Sequence, residues 1–246
     1  MRIAVISDVH GNLLALETVL ADIEDRSADV VVNLGDLVSG ALAPAATTDR
    51  LMELGQVTVR GNHERQVLQN PYERLSLSDR LAYDQLTEAH RAWFASLPLT
   101  AEIASGVRAF HGSPYDDLVY LLDTVEPDGA RPATEEEVTS RLGKYATWPL
   151  LLCGHTHLQR QIRLGMGALV VNPGSVGWPA YDDDQPYPHV MESGTPHARY
   201  AIVDNASGNW EAELLAVEYD WEAAAKLAES NGRPDVAGQL RTGLAR

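Results

Sequence analysis

A single cysteine, Cys153, stands among the 246 residues. It can build neither an intrachain disulfide framework nor a thiolate metal site, and a reducing compartment is compatible with it. Positive charge is scarce: 19 Lys and Arg face 35 Asp and Glu, a formal net charge of −16. That balance argues against a general surface for long nucleic acid or anionic membrane. A small anionic substrate stays compatible, because local charge governs a pocket and bound divalent cations reverse it. No apolar run approaches the length of roughly 18 residues that a spanning helix needs. Residues 3–6 are too short for the apolar segment of a secretory signal, and Asp8 follows at once, so a cytoplasmic location is expected. Linkers, repeats and low-complexity stretches are also missing. With 45% hydrophobic and 22% charged residues the composition is that of an ordinary globular chain, long enough for one large domain over 1–246.

Short apolar runs recur, and each stops at a polar loop. Residues 3–6, 30–34, 57–59 and 150–153 read as buried strands. Residues 13–25 place Leu13, Leu16, Leu20 and Ile23 on one helical face, and a second helix is expected over 45–54. This alternation points to parallel strands with crossover helices. One long helix from residue 78 or 79 to 94 is expected inside a largely helical 70–97 closed by Pro98. A hairpin over 103–110 turns at Gly106, residues 118–124 read as a helix, and Pro127-Asp128-Gly129 is a break. Thr134 with Glu137 is a capping-box pattern opening a helix to residue 145. Hairpins are expected at 159–164 with 168–171 and at 199–204 with 210–218, with 178–197 irregular between them. A helix spans 221–230, and the tail beyond it is expected to fray or pack loosely.

The polar residues that carry chemistry sit where the apolar strands end: Asp8 and His10, Asp36, Asn62 and His63, His111, and His155 with His157. Ligand sites of α/β sheets form at such carboxyl ends. Any one Asp or His there reads most simply as a cap or a loop residue. Five of the eight histidines in such loops do not. Gly35, Gly61 and Gly154 stand immediately before polar members, where a side chain would crowd a site. Oxygen and imidazole donors together suit Mn, Fe, Zn, Co or Ni rather than a soft-metal centre, and are less natural for Mg. The candidates outnumber the ligands of one tetrahedral zinc, so two metals with a carboxylate between them are expected.

In order and spacing over residues 1–177, the motifs Asp8-Val9-His10, Gly35-Asp36, Gly61-Asn62-His63-Glu64, His111 and Gly154-His155-Thr156-His157 resemble those of calcineurin-like metallophosphoesterases. The likeness is to the small stand-alone bacterial and archaeal members. It implies an α-β-β-α sandwich, an α/β fold of four layers with two mixed β-sheets. It also implies that Asp8, His10 and His157 bind a first metal, Asn62, His111 and His155 a second, and that Asp36 bridges them. His63 would face the leaving-group oxygen as general acid or charge stabiliser, while activated water attacks phosphorus in line. The chemistry is sound on its own terms. Two cations about 3.5–4 Å apart clamp phosphoryl oxygens and acidify a shared water. Asn62 limits the negative charge offsetting them, and an imidazole titrates near neutrality.

Substrate class follows from a departure. Serine/threonine phosphoprotein phosphatases, which resemble this chain at Arg60-Gly61-Asn62-His63-Glu64, continue their second motif with an acid and a substrate-binding arginine. Here Ser39-Gly40 stands instead. A phosphodiester carries one negative charge fewer than a monoester and needs less cationic help. The expectation is therefore an enzyme hydrolysing a small phosphodiester, nucleotide-derived, with two divalent metal ions: Mn first, Fe, Ni or Zn as alternatives. A phosphomonoesterase or phosphoprotein phosphatase is the enzymatic rival, and a non-catalytic metal-binding regulatory protein the rival of another class. Asn12 either touches phosphate or shapes its loop, and Arg60 either reaches substrate or pairs structurally. Trp178, Tyr181 and Tyr187 either stack a base or cover the core. Glu64 either braces a ligand histidine or caps a helix. The Asn172-Pro173-Gly174-Ser175 loop is expected to shape the site wall, and Asp182-Asp183-Asp184 to be a solvated turn that disfavours a polyanion. A homodimer is admitted, since symmetric self-association is common.

Overall fold

Residues 3–6 serve two apolar layers at once: Ile3 and Val5 pack into one cluster, Ala4 and Ile6 into another, and all four are fully buried. Successive side chains of a strand point to opposite faces, so such a segment must lie in a sheet covered on both sides. The computed structural model describes residues 1–245. In chain order the first elements are β1 (Arg2–Ile6), α1 (Leu13–Asp25), β2 (Val30–Asn33), α2 (Pro44–Leu54), β3 (Val57–Thr58), α3 (Asn62–Gln69), α4 (Leu77–Gln85) and α5 (Glu88–Ser96). The middle holds β4 (Thr100–Ala104), β5 (Val107–Phe110), β6 (Asp123–Glu126), β7 (Gly129–Pro132), α6 (Glu135–Leu142) and β8 (Leu150–Leu152). The last third holds β9 (Gln159–Arg163), β10 (Leu169–Pro173), β11 (Ala180–Asp183), β12 (His189–Glu192), β13 (Ala198–Asp204), β14 (Glu211–Val217), α7 (Trp221–Ser230) and α8 (Pro234–Thr242).

Two five-stranded sheets carry the fold, in the orders β14-β13-β1-β2-β3 and β4-β5-β8-β10-β9. Both are mixed: β1 runs parallel to β2 and antiparallel to β13, and β10 parallel to β8 and antiparallel to β9. Val5, Val32 and Val203 of the first sheet, with Val59 just after β3, meet Val107, Leu150, Leu152 and Val171 of the second in one shared apolar layer. The outer face of the first sheet (Ala4, Ile6, Tyr200, Ile202) packs on Leu16 and Val19 of α1, Ala225 of α7 and Leu240 of α8. The outer face of the second (Phe110, Leu151, Val170) packs on Val138 and Leu142 of α6. The result is the four-layer α-β-β-α sandwich. Among the described residues no helix is long and apolar enough to cross a membrane.

Local chemistry explains the departures from the sequence reading. The long helix over 78–94 is two helices, because Leu86 turns extended and Thr87 caps α5, accepting from His90 N at 3.2 Å. The helix at 118–124 does not form: Asp123 opens a strand that pairs with β7 across the Pro127-Asp128-Gly129 turn, where Gly129 takes a φ of 130°. The 178–197 excursion contains the antiparallel ribbon β11–β12. The tail is not loose. Pro234 starts α8 and Gly243 ends it in the left-handed conformation, while Val236, Ala237 and Leu240 are buried. The capping box at Thr134 and Glu137 is present, but α6 stops at Leu142, where Gly143 breaks it.

Candidate functional site

β1, β2, β3, β5 and β8 all end at one edge of the sandwich, and the residues after them meet there. Asp8, His10, Asp36, His155 and His157 each adopt a positive φ, between 49° and 72°. Side chains other than glycine pay of order 1–3 kcal/mol for that conformation, and such strain gathers at functional sites. Only Ser27 shares it elsewhere among the described residues. The tight turns also explain two glycines. A Cβ on Gly61 would lie 2.2 Å from Asp36 Oδ1, and one on Gly154 would lie 2.0 Å from Ser7 Oγ.

Two clusters of donors result. Asp8, His10 and His157 form one, Asp36, His111 and His155 the other, and within each the ligand-type atoms lie within 4.8 Å of one another. The second nitrogen of each ring is anchored on a main-chain carbonyl. His10 Nδ1 meets Ser39 O, His157 Nδ1 meets Trp178 O at 2.7 Å, and His111 Nδ1 meets Leu34 O at 2.8 Å. His155 uses the other edge, with Nε2 at 3.2 Å from Leu118 O. In a neutral imidazole, holding a proton on that carbonyl leaves the remaining nitrogen with a lone pair aimed inward. Accordingly, His10 Nε2 and His157 Nε2 face each other at 2.9 Å. Asp8 Oδ1 is buried with no hydrogen-bond partner. The Asn62 side-chain oxygen lies 3.1 Å from His111 Nε2, its amide facing His155 Nδ1 and Asp36 Oδ2 as well. Converging lone pairs and an orphaned carboxylate oxygen are what cations would satisfy, so the donor set fits two of them.

Charge follows the same logic. Burial, helped by His157, pushes His10 down to about 3. Burial, helped by His111, does the same to His155. Burial opposes ionisation of Asp8 and Asp36, yet His157 beside the first and His111 beside the second hold both below the usual carboxylate range. His111 is carried up to about 10 by Asp36, against its own burial.

His63 is set apart. Its side chain is 21% exposed, against 2% for His10, 0% for His111 and 4% for His157. Its main-chain N–H donates to Asp36 Oδ1 at 3.0 Å and its Nδ1 lies 2.7 Å from Asp79 Oδ1. Burial lowers its affinity for a proton, but Asp36 and Asp79 outweigh that and carry it to about 9. Glu64, the next residue but one after Asn62, neither touches a ligand histidine nor merely charges a helix end. Its carboxylate accepts from Leu37 N at 2.7 Å, Gly61 N at 2.9 Å and Asp36 N at 3.0 Å, tying the second motif to the third.

A cavity of about 1040 Å³ opens over these groups, with His10, Asp36, Asn62, His63, His155 and His157 in its wall. Trp178 and Tyr181 line it too, packed edge-on against His10 and His157 at ring-centroid distances of 5.0 Å and 4.7 Å. Asn12 and Arg60 do not line it. Asn12 spends its side chain on Gly177 O, Tyr219 OH and the cap of α1. Tyr187 stands outside the wall, exposed. The 172–175 loop braces the motifs from behind: Ser175 Oγ donates to Asp8 O at 2.8 Å and Asn172 Nδ2 to Gly154 O at 2.8 Å. Asp182 and Asp183 stand exposed at the mouth. Sequence reasoning missed Asp79, which only tertiary folding brings to His63, and the α8 wall, where Gln239 accepts from Trp178 Nε1 at 2.7 Å.

Residues 1–159 match the calcineurin-like phosphoesterase family. An uncharacterised protein of Methanocaldococcus jannaschii is 26% identical over 261 residues, covering 96% of each chain. The crystal structure of a metallophosphoesterase from Sphaerobacter thermophilus, 25% identical, superposes over 99% of this chain and 100% of that one with a TM-score of 0.75. A hypothetical protein from Pyrococcus horikoshii has the same fold, with a TM-score of 0.78 over 98% of both chains at 18% identity. Two donor clusters at one sheet edge, on two mixed sheets, sit within that sequence match: the chain belongs to the calcineurin-like phosphoesterase family.

Proposed function

We propose that this protein hydrolyses a small, nucleotide-derived phosphodiester in the cytoplasm, with two divalent cations, Mn first and Fe, Ni or Zn on the same donors. The observation that carries the reading is the pair of donor clusters lying beside one partly open imidazole. Asp8, His10 and His157 would hold one cation, and Asn62, His111 and His155 the other. Asp36 would bridge them. When bound, the cations supply Lewis-acid charge to the phosphoryl oxygens and to the attacking water. The chain's own residues do the rest. Main-chain carbonyls orient the ligand rings, and the 172–175 loop keeps the first motif in its strained turn. His63 Nε2 faces the cavity side of the donors, with its proton affinity raised, and delivers that proton to the leaving oxygen. Trp178 and Tyr181 pack edge-on against His10 and His157 and wall the cavity beside them.

The diester preference rests on Ser39-Gly40, which puts no arginine beside the donors. Within the wall, Arg141 turns its Nη1 to the carbonyls of Tyr120, Leu121 and Asp123, and Arg233 is paired with Asp235. The test is elemental analysis of the native protein together with hydrolysis of bis(4-nitrophenyl) phosphate and 4-nitrophenyl phosphate after Mn addition. Two metals per chain and faster diester cleavage are expected. Faster monoester cleavage overturns the diester assignment, and two metals with no turnover of either moves the protein to a binding role.

A further inference from the structure

One cation in the cavity wall has no part in the donor clusters. Arg233 sits at the start of α8 with its side chain 15% exposed. Its Nη1 donates to Ser78 Oγ at 2.7 Å, and its Nε and Nη2 donate to Asp235, at 2.7 Å for the Nη2 contact. A guanidinium carries five N–H groups, and these contacts leave one on each Nη uncommitted. Asp235, 57% exposed, grips one edge of the guanidinium without covering it. Arg141, the other arginine of the wall, turns its Nη1 to three main-chain carbonyls and its Nη2 to Thr124 Oγ1.

The place of Arg233 gives it a direction. Ser78 directly precedes Asp79, and Asp79 holds His63. The guanidinium is thus fastened to the same turn of α4 that orients the imidazole, and both face one cavity. His63 stands on the leaving-group side of the reacting phosphorus. An anion held by Arg233 therefore belongs to the departing half of the substrate, beyond the scissile bond. Ser78 and Gln239 line the same cavity. Planar donors in a fork match a carboxylate or phosphate.

We infer that Arg233 forms an anion subsite for a second charged group, a phosphate or carboxylate, carried by the leaving half of the substrate. The inference rests on the phosphodiesterase reading for its sense of direction. It narrows the substrate class to diesters or phosphoanhydrides whose departing part is itself anionic.

The test uses two diesters with the same methyl half, one releasing 4-hydroxybenzoate and the other its neutral methyl ester. The Mn-loaded protein is compared with Arg233→Ala and with Arg233→Met, which keeps the apolar stem should the smaller residue unfold the wall. A charge-assisted hydrogen bond predicts a fall in kcat/KM for the carboxylate diester about 10- to 100-fold larger than for the neutral one. Calorimetric titration with the non-hydrolysable phosphonate analogue of each diester reads the same preference without turnover. Equal effects on both diesters, or none, overturn the subsite while leaving the hydrolase reading intact. Should neither diester be cleaved, tighter binding of the charged phosphonate to the wild type than to either variant upholds the subsite and sinks the hydrolase reading. Indifferent phosphonate binding refutes the subsite.

Discussion

Asp79 Oδ1 lies 2.7 Å from His63 Nδ1, and the contact joins the helix that opens the third motif to a helix 16 residues downstream. Ser76 Oγ donates to the other carboxylate oxygen at 2.7 Å, so the acid is held from both sides. An Nδ1–H bound to a carboxylate leaves Nε2 as the uncommitted nitrogen of the ring.

Asp79→Asn is expected to lower kcat about 10- to 100-fold, the usual range for a group orienting a functional histidine, with KM little changed. The pH profile should move as well. The carboxylate stabilises protonated His63, so its removal lowers the imidazole pKa. A general acid must be protonated, and the alkaline limb of the kcat profile therefore shifts to lower pH. Metal content by elemental analysis should stay at the wild-type value. An unchanged limb with normal metal content would show that Asp79 only packs the helix.

The donor clusters predict a stability that depends on metal. Facing lone pairs on His10 and His157 and the orphaned Asp8 oxygen raise the energy of the chain without cations. Each cation bound only to the folded state contributes about 2.7 kcal/mol at a free concentration of 100 times its Kd. Chelation should lower Tm, and Mn should restore it in a concentration-dependent way. Asp8→Asn should cost chiefly one metal per chain and Asp36→Asn both. Full retention of two metals in Asp36→Asn would refute the bridge.

The layers of the fold were legible because buried strands write their period directly: residues 3–6 and 150–153 are apolar without interruption, and 13–25 carries a helical stripe. The donors were legible because each follows such a strand. What escaped was non-local or depended on one capping residue. Thr87 splits a helical stretch in two by accepting from His90 N, a competition that periodicity does not weigh. Asp123 joins a strand only because β7 pairs with it. Asp79, Arg233 and Gln239 belong to no local motif: tertiary packing of α4 and α8 brings the first to His63 and the other two to the cavity wall.

Away from the site, Asp22 predicts a pH dependence. Burial pushes its carboxyl up, but the Tyr200 hydroxyl and the Arg26 guanidinium, at 2.8 Å, outweigh it and hold it below the ordinary 3.8. A carboxyl depressed in the folded state adds stability above its unfolded pKa and loses it as pH falls through the folded value. Asp22→Asn should therefore cost about 1 kcal/mol at neutral pH, the worth of its hydrogen bonds. The deficit should shrink as the medium is acidified below pH 3.8. Denaturant melts at neutral and acid pH read both, and a deficit that does not shrink would remove the pair from the account of acid stability.

Glu64 is the last residue whose role separates shape from chemistry. Its carboxylate accepts three buried main-chain N–H groups, from Leu37, Gly61 and Asp36. Burial, with Asp36 adding to it, raises the carboxyl to about 7 against the pull of those N–H groups. Glu64→Ala orphans all three donors at about 1–3 kcal/mol each, so a loss of roughly 3 kcal/mol or more is expected. Glu64→Gln keeps a single acceptor oxygen and should lose less. Because Asp36 N is one of the three, both variants should also weaken metal uptake, the alanine more. Chemical denaturation and elemental analysis on the same preparations check the order. A Glu64→Ala protein with wild-type stability and two metals would show that the carboxylate holds neither motif in place.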